Sequence, residues 1–401
     1  MTPAEWRATA SLSLVYGLRM LGMFMILPVF AIYAAGLPGS VAGWQVGLAI
    51  GVYGLTQAAL QMPFGRLSDR FGRKPVIIGG LLVFAAGSLL AGLADSIEGI
   101  IAGRALQGAG AISAAVTALL ADSTRESRRT TAMAVFGAGM GASFLLAMML
   151  GPSLSGWIGV DGIFLATAVA SLLALPLVIW VAPAAPPRPR AVGPLWPVLR
   201  DRQLQGFYAG IFLLHACLTA MFLALPFALQ ATLDLPLASH WRVYLPVMLL
   251  SLLPVFPLIR YAEAGQRLVR VFAAAVAVLV LAGVVNAFGH GSSVALLAGV
   301  LLFFLAFNFL EAALPSRLSR AAPVASRGTA MGLFATAQFS GAFVGGLLGG
   351  VLQNLHGPGG VFAACIFLPL VWLGFAARPG SAPPAGTEPD TEKENRQWRE
   401  A

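Results

Sequence analysis

Gly65-Arg66-Leu67-Ser68-Asp69-Arg70-Phe71-Gly72-Arg73-Lys74 stands between two apolar blocks, at about residues 43–65 and 75–94. A stretch with four cations and one acid has no place in hydrocarbon, where a single Arg or Lys at mid-helix costs about 2.5–3.5 kcal/mol. The flanking blocks have the ~18–25 residues that cross a layer ~30 Å thick at ~1.5 Å per helical residue. The stretch is therefore a polar connection between two membrane-spanning helices, and the rest of the chain repeats this construction.

Of 401 residues, 58% are hydrophobic and 10% charged, with mean hydropathy +0.83. That composition excludes a water-soluble core. Transmembrane β-strands need far shorter alternating blocks. The net charge of +9 does not imply nucleic acid as a partner, because the cations sit in short loops between apolar blocks. Cys217 and Cys365 lie far apart inside apolar blocks, without metal-ligand spacing, and read as small packing residues; no metal site is expected. The first block contains Arg19 and Pro28 and is too long for a signal peptide, so it is expected to be retained.

Twelve spans are expected, near 10–35, 43–65, 75–94, 98–121, 130–154, 161–182, 205–231, 241–260, 271–288, 293–315, 328–353 and 358–377. With the amino terminus inside, Arg66, Arg70, Arg73, Lys74, Arg125, Arg128, Arg129, Arg188, Arg190, Arg200, Arg202, Arg260, Arg267, Arg270, Arg317, Arg320 and Arg327 share one side, and Arg242 alone lies on the other. This asymmetry predicts a cytoplasmic amino terminus and, with an even count of spans, a cytoplasmic carboxy terminus. Trp44, Trp157 and Trp241 at outer ends and Trp180 and Trp372 at inner ends form an expected aromatic belt. The expected organisation is a six-helix half over 1–182, a proline-rich basic linker over 183–203, a second half over 204–377 and a disordered tail over 378–401.

A gap-free offset of 198 places Met23, Phe24, Leu27 and Pro28 on Met221, Phe222, Leu225 and Pro226, and Arg129, Thr131, Ala132, Met133 and Phe136 on Arg327, Thr329, Ala330, Met331 and Phe334. Gly151 likewise falls on Gly349. Two parallel six-helix repeats around a central cavity are the architecture of a carrier that rocks about a midplane site. Span 5 carries Gly137, Gly141, Gly151 and Pro152, span 4 carries Gly108, and span 11 has a four-residue stripe of Gly341, Gly345 and Gly349. Small residues at these spacings suit close helix contact.

The 65–74 stretch resembles the signature G-x-L-a-D-r-x-G-r-k of the major facilitator superfamily at each fixed position. The resemblance implies a cytoplasmic latch of Gly65, Asp69, Arg70, Gly72, Arg73 and Lys74, with Asp122 as a network partner and Asp69 docking at the start of span 11. Arg104 and the following ALQGAG resemble the family's second motif. The Gly-Pro run of span 5 matches the proton-driven exporter motif only partly, since Ala147 and Ser155 stand where glycine is usual. RMLGMFMILP, YGLTQ at 53–57 and FNFLEA at 307–312 resemble the YajR-type transporters of the drug:proton antiporter-1 group. Relatives of that type carry a further soluble domain; after Arg378 this sequence has only the polar tail.

Polar residues inside apolar spans are functional candidates by their cost. They are Tyr16, Arg19, Tyr53, Gln57, Gln61, Arg104, His215, Thr219, Asn308, Glu311 and Gln338. Arg19 and His215 sit at similar depth in the first span of each half and are expected to face one cavity. Arg104 is read either as a cavity residue or as a structural tie to carbonyls of span 1. Glu311 is the carboxylate best placed within a span, one turn from Asn308, and is the main candidate for carrying a coupling proton. No clustered catalytic ligands and no GxxxxGK[ST] loop occur, so neither an enzyme nor an ATP-driven pump is expected. The expected function is proton-coupled export of a small molecule across a bacterial inner membrane, the chain acting as a monomer in the lipid bilayer with protons and no cofactor. Import of a metabolite is the alternative.

Overall fold

The computed structural model describes residues 1–183, 195–264, 267–323 and 326–376. Among these the chain is helical, with α1 Pro3–Ile26, α2 Phe30–Ala35, α3 Gly43–Phe71, α4 Arg73–Gly92, α5 Ile97–Ala109, α6 Ser113–Asp122 and α7 Glu126–Pro176. After α8 Leu195–Arg200 come α9 Arg202–Leu233, α10 Trp241–Leu252, α11 Val255–Ala264, α12 Leu268–Gly289, α13 Ser293–Ala321 and α14 Arg327–Ala376. The tail expected over 378–401 and residues 184–194 of the linker expected over 183–203 lie outside the described residues.

Local chemistry sets where these helices stop. Thr2 and Glu5 form a reciprocal cap at the start of α1, with the Glu5 amide donating to Thr2 Oγ1 at 3.2 Å and the Thr2 amide to Glu5 Oε2 at 2.7 Å. Pro28 lacks an amide hydrogen and its ring crowds the preceding turn, which breaks the first span between α1 and α2. Asp201 caps α9 by accepting from the amides of Gln203 and Leu204. Gly159 and Gly357, at φ +71° and +62°, turn the chain within α7 and α14, so each of these elements is two spans joined at a left-handed glycine. These two glycines are related by the same 198-residue offset as the repeat.

Nine helical segments among the described residues are long and apolar enough to cross a membrane. Dividing α7 and α14 at their hinges and adding α3, whose Gln45, Gln57 and Gln61 lower its hydropathy, is consistent with twelve spans. The fold is an all-α membrane bundle.

The repeat is also a repeat of packing. A methyl group on Gly151 would collide with the Met25 backbone of α1, and one on Gly349 would lie 2.8 Å from Ala220 Cα of α9. Gly341 and Gly345 press on the carbonyls of Phe212 and Ala216 in α9. Gly108 packs α5 on the Tyr53 carbonyl of α3 in the same way. Gly137 and Gly141 depart from the packing expectation: nothing among the described residues comes within 4 Å of a Cβ at either, and they face open space.

The two halves meet along α3 and α14. Gly43 abuts the Gly350 carbonyl, Gly47 the Gly346 carbonyl, and Gly51 and Gly54 the backbone of Phe343 and Phe339. Gly156 of α7 adds a contact with Ala238 at the same end of the bundle. Toward the other end, which holds the loop cations, the seam thins: Gly332 approaches only the Met62 methyl at 3.8 Å, and Gly328 meets nothing within 4 Å. The close backbone contacts between α3 and α14 are thus concentrated toward the end that carries Gly43 and Gly350.

Two sequence expectations change. The signature stretch is not a loop, because residues 65–71 form the last two turns of α3; only Gly72, at φ +93°, breaks the helix before Arg73 opens α4. Trp372 is 3% exposed and packs against Phe272 and Gly210, so it belongs to the second half's core rather than to an interfacial belt. Trp44, Trp157 and Trp180 do face outward.

Candidate functional site

At the basic end, Arg73 organises the signature residues. Its guanidinium pairs with Asp69 one turn earlier, donates to Ser68 Oγ at 2.7 Å and reaches Asp122 Oδ2 at 3.2 Å. Asp122 closes α6, so this pair ties the start of α4 to the end of span 4. Arg70 does not join the expected network with Asp122; its guanidinium lies over the Phe71 ring. Lys74 donates to the Ile179 carbonyl at 3.1 Å, where the sixth span winds into a π-turn. Of the two motif glycines, Gly72 supplies the positive φ, whereas Gly65 sits in regular helix beside Ala114.

In the first half, α5 and α6 are interrupted at residues 110–112, and the Gly110 carbonyl at this break accepts from Arg19 Nη2 at 3.0 Å. The same nitrogen donates to Gln57 Oε1 at 2.7 Å. Gln57 Nε2 continues to Ser113 Oγ at 3.2 Å, and Ser113 shares a 2.8 Å bond with the Tyr16 hydroxyl. Tyr53 lies between two arginines, with Arg19 Cζ 5.7 Å and Arg104 Cζ 5.0 Å from its ring centre. Arg19 is 1% exposed, so it does not share an open cavity with His215 as its depth suggested. Arg104 is a structural tie, but to span 2 rather than span 1: it donates to the carbonyls of Ala49 and Ile50 and to Gln107 Oε1, one bond from each of its three nitrogens.

In the second half, His215 of α9, Glu311 of α13 and Gln338 of α14 converge. Gln338 Nε2 donates to His215 Nε2 at 2.8 Å and to Glu311 Oε1 at 3.2 Å. His215 Nδ1 lies 3.3 Å from the Ile211 carbonyl, which assigns the hydrogen to Nδ1 and leaves Nε2 as acceptor. Glu311 Oε2 stands 3.8 Å from His215 Nε2 with no hydrogen-bond partner among the described residues. The Glu311 side chain is 38% exposed, although its Oε2 is buried. Asn308 turns elsewhere, donating to Ser251 Oγ at 2.9 Å.

The 198-residue offset relates these two clusters. Glu311 occupies the position of Ser113, Ser251 that of Tyr53, Asn308 that of Gly110, and His215 that of Gly17. Equivalent sites thus hold a carboxylate and an imidazole in one half, and a hydroxyl and a glycine in the other, whose buried arginine, Arg19, corresponds to Cys217. Ser113, Ser251 and the bridging role of Gln338 escaped the sequence reading; carrying the offset through span 4 would have paired Ser113 with Glu311.

Two helical repeats packed along α3 and α14, each holding polar side chains within its membrane spans, define a membrane carrier. The chain belongs to the Major Facilitator Superfamily, whose family model matches residues 12–346. It is 46% identical over 383 residues to the inner membrane transport protein YajR of Escherichia coli (strain K12), covering 94% of this chain and 84% of that protein. The resemblance drawn from the motifs is therefore borne out. The chain is 27% identical over 354 residues to the multidrug resistance protein MdtH of Aeromonas hydrophila subsp. hydrophila, covering 84% of this chain and 85% of the relative. The fold matches a bacterial homolog of the human lysosomal transporter Spinster, inward-facing and occupied, with TM-score 0.76 at 13% identity over 94% of this chain and 97% of that one.

Proposed function

We propose that this transporter exports a small molecule across a bacterial inner membrane in exchange for entering protons, with both termini and the basic end of the bundle in the cytoplasm. The observation that carries this reading is Glu311, a partly exposed carboxylate within a membrane span that is linked to His215 through Gln338. In the arrangement described, His215 accepts at Nε2 from the Gln338 amide. A proton arriving there turns Nε2 into a donor, which displaces the Gln338 amide and leaves Glu311 Oε2, 3.8 Å away, as the available acceptor. Protonation thus rewrites the contacts among three helices of one half. If the loaded and unloaded clusters prefer different separations of the halves, the proton biases the rocking motion, and only that differential preference can drive it.

The export direction rests on the likeness to MdtH and on the motif resemblance. In everted membrane vesicles with a respiration-driven proton gradient, an exported substrate is expected to release protons from the lumen as it enters, relieving the quench of a pH-sensitive dye. Substrate uptake that continues unchanged after an uncoupler collapses the gradient contradicts proton coupling.

A further inference from the structure

Arg19 and Arg104 are both buried cations of the first half, yet their surroundings differ. Arg104 uses all three nitrogens on carbonyl acceptors. Arg19 uses only Nη2; its Nε and Nη1 meet no hydrogen-bond partner among the described residues, and no ion pair found there involves it. The Tyr53 hydroxyl, on the ring flanking both guanidiniums, is also unpartnered, and Tyr53 is 3% exposed. The site therefore has buried donors on Arg19 and two cations beside it, and a further neutral acceptor near Arg19, the Tyr53 hydroxyl oxygen, makes no well-formed bond to them. Donors buried without acceptors are expensive, and a cation inside a span is more so.

The cover over this group belongs to the seam between the halves. Tyr53 packs edge-on against Phe339 of α14, with ring centres 6.5 Å apart, and the neighbouring Gly54 abuts the Phe339 carbonyl. Parting α3 from α14 removes that cover from Tyr53 and from Arg19 behind it. Phe339 is the neighbour in sequence of Gln338, which bridges His215 and Glu311.

We infer that Arg19 and the Tyr53 hydroxyl form the seat for a carboxylate on an otherwise apolar transported molecule, reached when α3 and α14 separate. The inference rests on the reading of the chain as a rocking carrier and adds the chemical class of its substrate. A carboxylate supplies the acceptors that Arg19 Nε, Nη1 and the Tyr53 hydroxyl lack, in surroundings of low dielectric where charge-assisted bonds are strong. The apolar body has Phe339, Phe84 and the Tyr53 ring beside it; Phe84 already lies 5.0 Å from Arg19 Cζ.

The test uses the full-length protein in lipid nanodiscs at fixed pH without a gradient, with cinnamate and octanoate as probes against cinnamamide, octanamide and benzyltrimethylammonium. The two carboxylates are expected to raise the unfolding temperature of the wild type, and the neutral and cationic probes to leave it unchanged. Arg19→Gln is expected to weaken cinnamate binding by roughly ten- to a hundredfold, Arg19→Lys by less, and Tyr53→Phe by about tenfold, the scale of a lost charge-assisted bond. Should Arg19→Gln fail to fold, Tyr53→Phe, which keeps the ring and its packing, decides. Amides as effective as acids, no response to either carboxylate in the wild type, or cinnamate affinity unchanged in the folded variants would overturn the inference and leave Arg19 a water-satisfied structural residue. Because no proton gradient enters the assay, loss of proton coupling elsewhere would sink the exchange reading without touching this result.

Discussion

Arg73 Nε stands 3.2 Å from Asp122 Oδ2 with both side chains about 2% exposed, whereas Asp69, the other acid on Arg73, is 48% exposed. The two acids are therefore unequal. Removing Asp122 leaves a buried cation whose Nη2 already lacks a partner, a loss of about 3–5 kcal/mol for a broken buried pair. Asp122→Asn is expected to lower the unfolding temperature clearly. Asp69→Asn should change stability by under about 1 kcal/mol, with normal abundance but sharply reduced transport if the latch sets the closed state of the basic end. Thermal unfolding in detergent beside vesicle flux separates the two; equal destabilisation by both variants would contradict the assignment.

The seam between the halves makes a steric prediction. Gly47 and Gly346 bring α3 and α14 into backbone contact, and a side chain at either collides with the carbonyl opposite. Gly346→Leu should hold that end of the bundle apart, abolishing transport while leaving insertion and abundance near normal. Labelling of a cysteine placed at Asn354, against Gly43, would rise severalfold; unchanged labelling with intact transport would show that the seam tolerates the wedge.

Gly159 and Gly357 turn the chain at positive φ with open space around the position of a Cβ. The cost of Gly159→Ala or Gly357→Ala is then backbone strain alone, about 1–2 kcal/mol each, and near additive because the sites are far apart along the repeat. Equilibrium unfolding of the single and double variants checks this. A neutral result at both would mean that the hinges relax to an ordinary helical turn.

The membrane class and the repeat are legible in the sequence, whereas the partners that side chains choose are not. Hydropathy, loop cations and the 198-residue offset located spans, orientation as an expectation and the repeat, because those signals are one-dimensional. Depth along a helix was also legible for Arg19 and His215, but the direction of each side chain was not. Arg19 turns into its own half toward the carbonyl at the broken α5–α6 span, a break that no proline announces. Gly65 ends the span expected over 43–65 because the residues after it are charged, yet the helix runs on through Phe71 and carries those charges on its final turns. Trp372 sat at a helix end and was assigned to the interface, but the space left by Gly210 admits its ring into the core.

The central claim is that the His215–Glu311 pair holds the coupling proton, with the Glu311 carboxylate as the acceptor that stabilises it on His215, and Glu311→Gln in proteoliposomes tests it most directly. The variant keeps the shape of the side chain and a hydrogen-bonding contact with Gln338 while removing the carboxylate charge. Purified variant and wild type are compared for uphill flux driven by a pH gradient and for exchange of labelled against unlabelled substrate with no gradient. The account predicts that uphill flux falls by at least about tenfold while exchange stays within about twofold of wild type. Uphill flux at the wild-type rate in Glu311→Gln would contradict it.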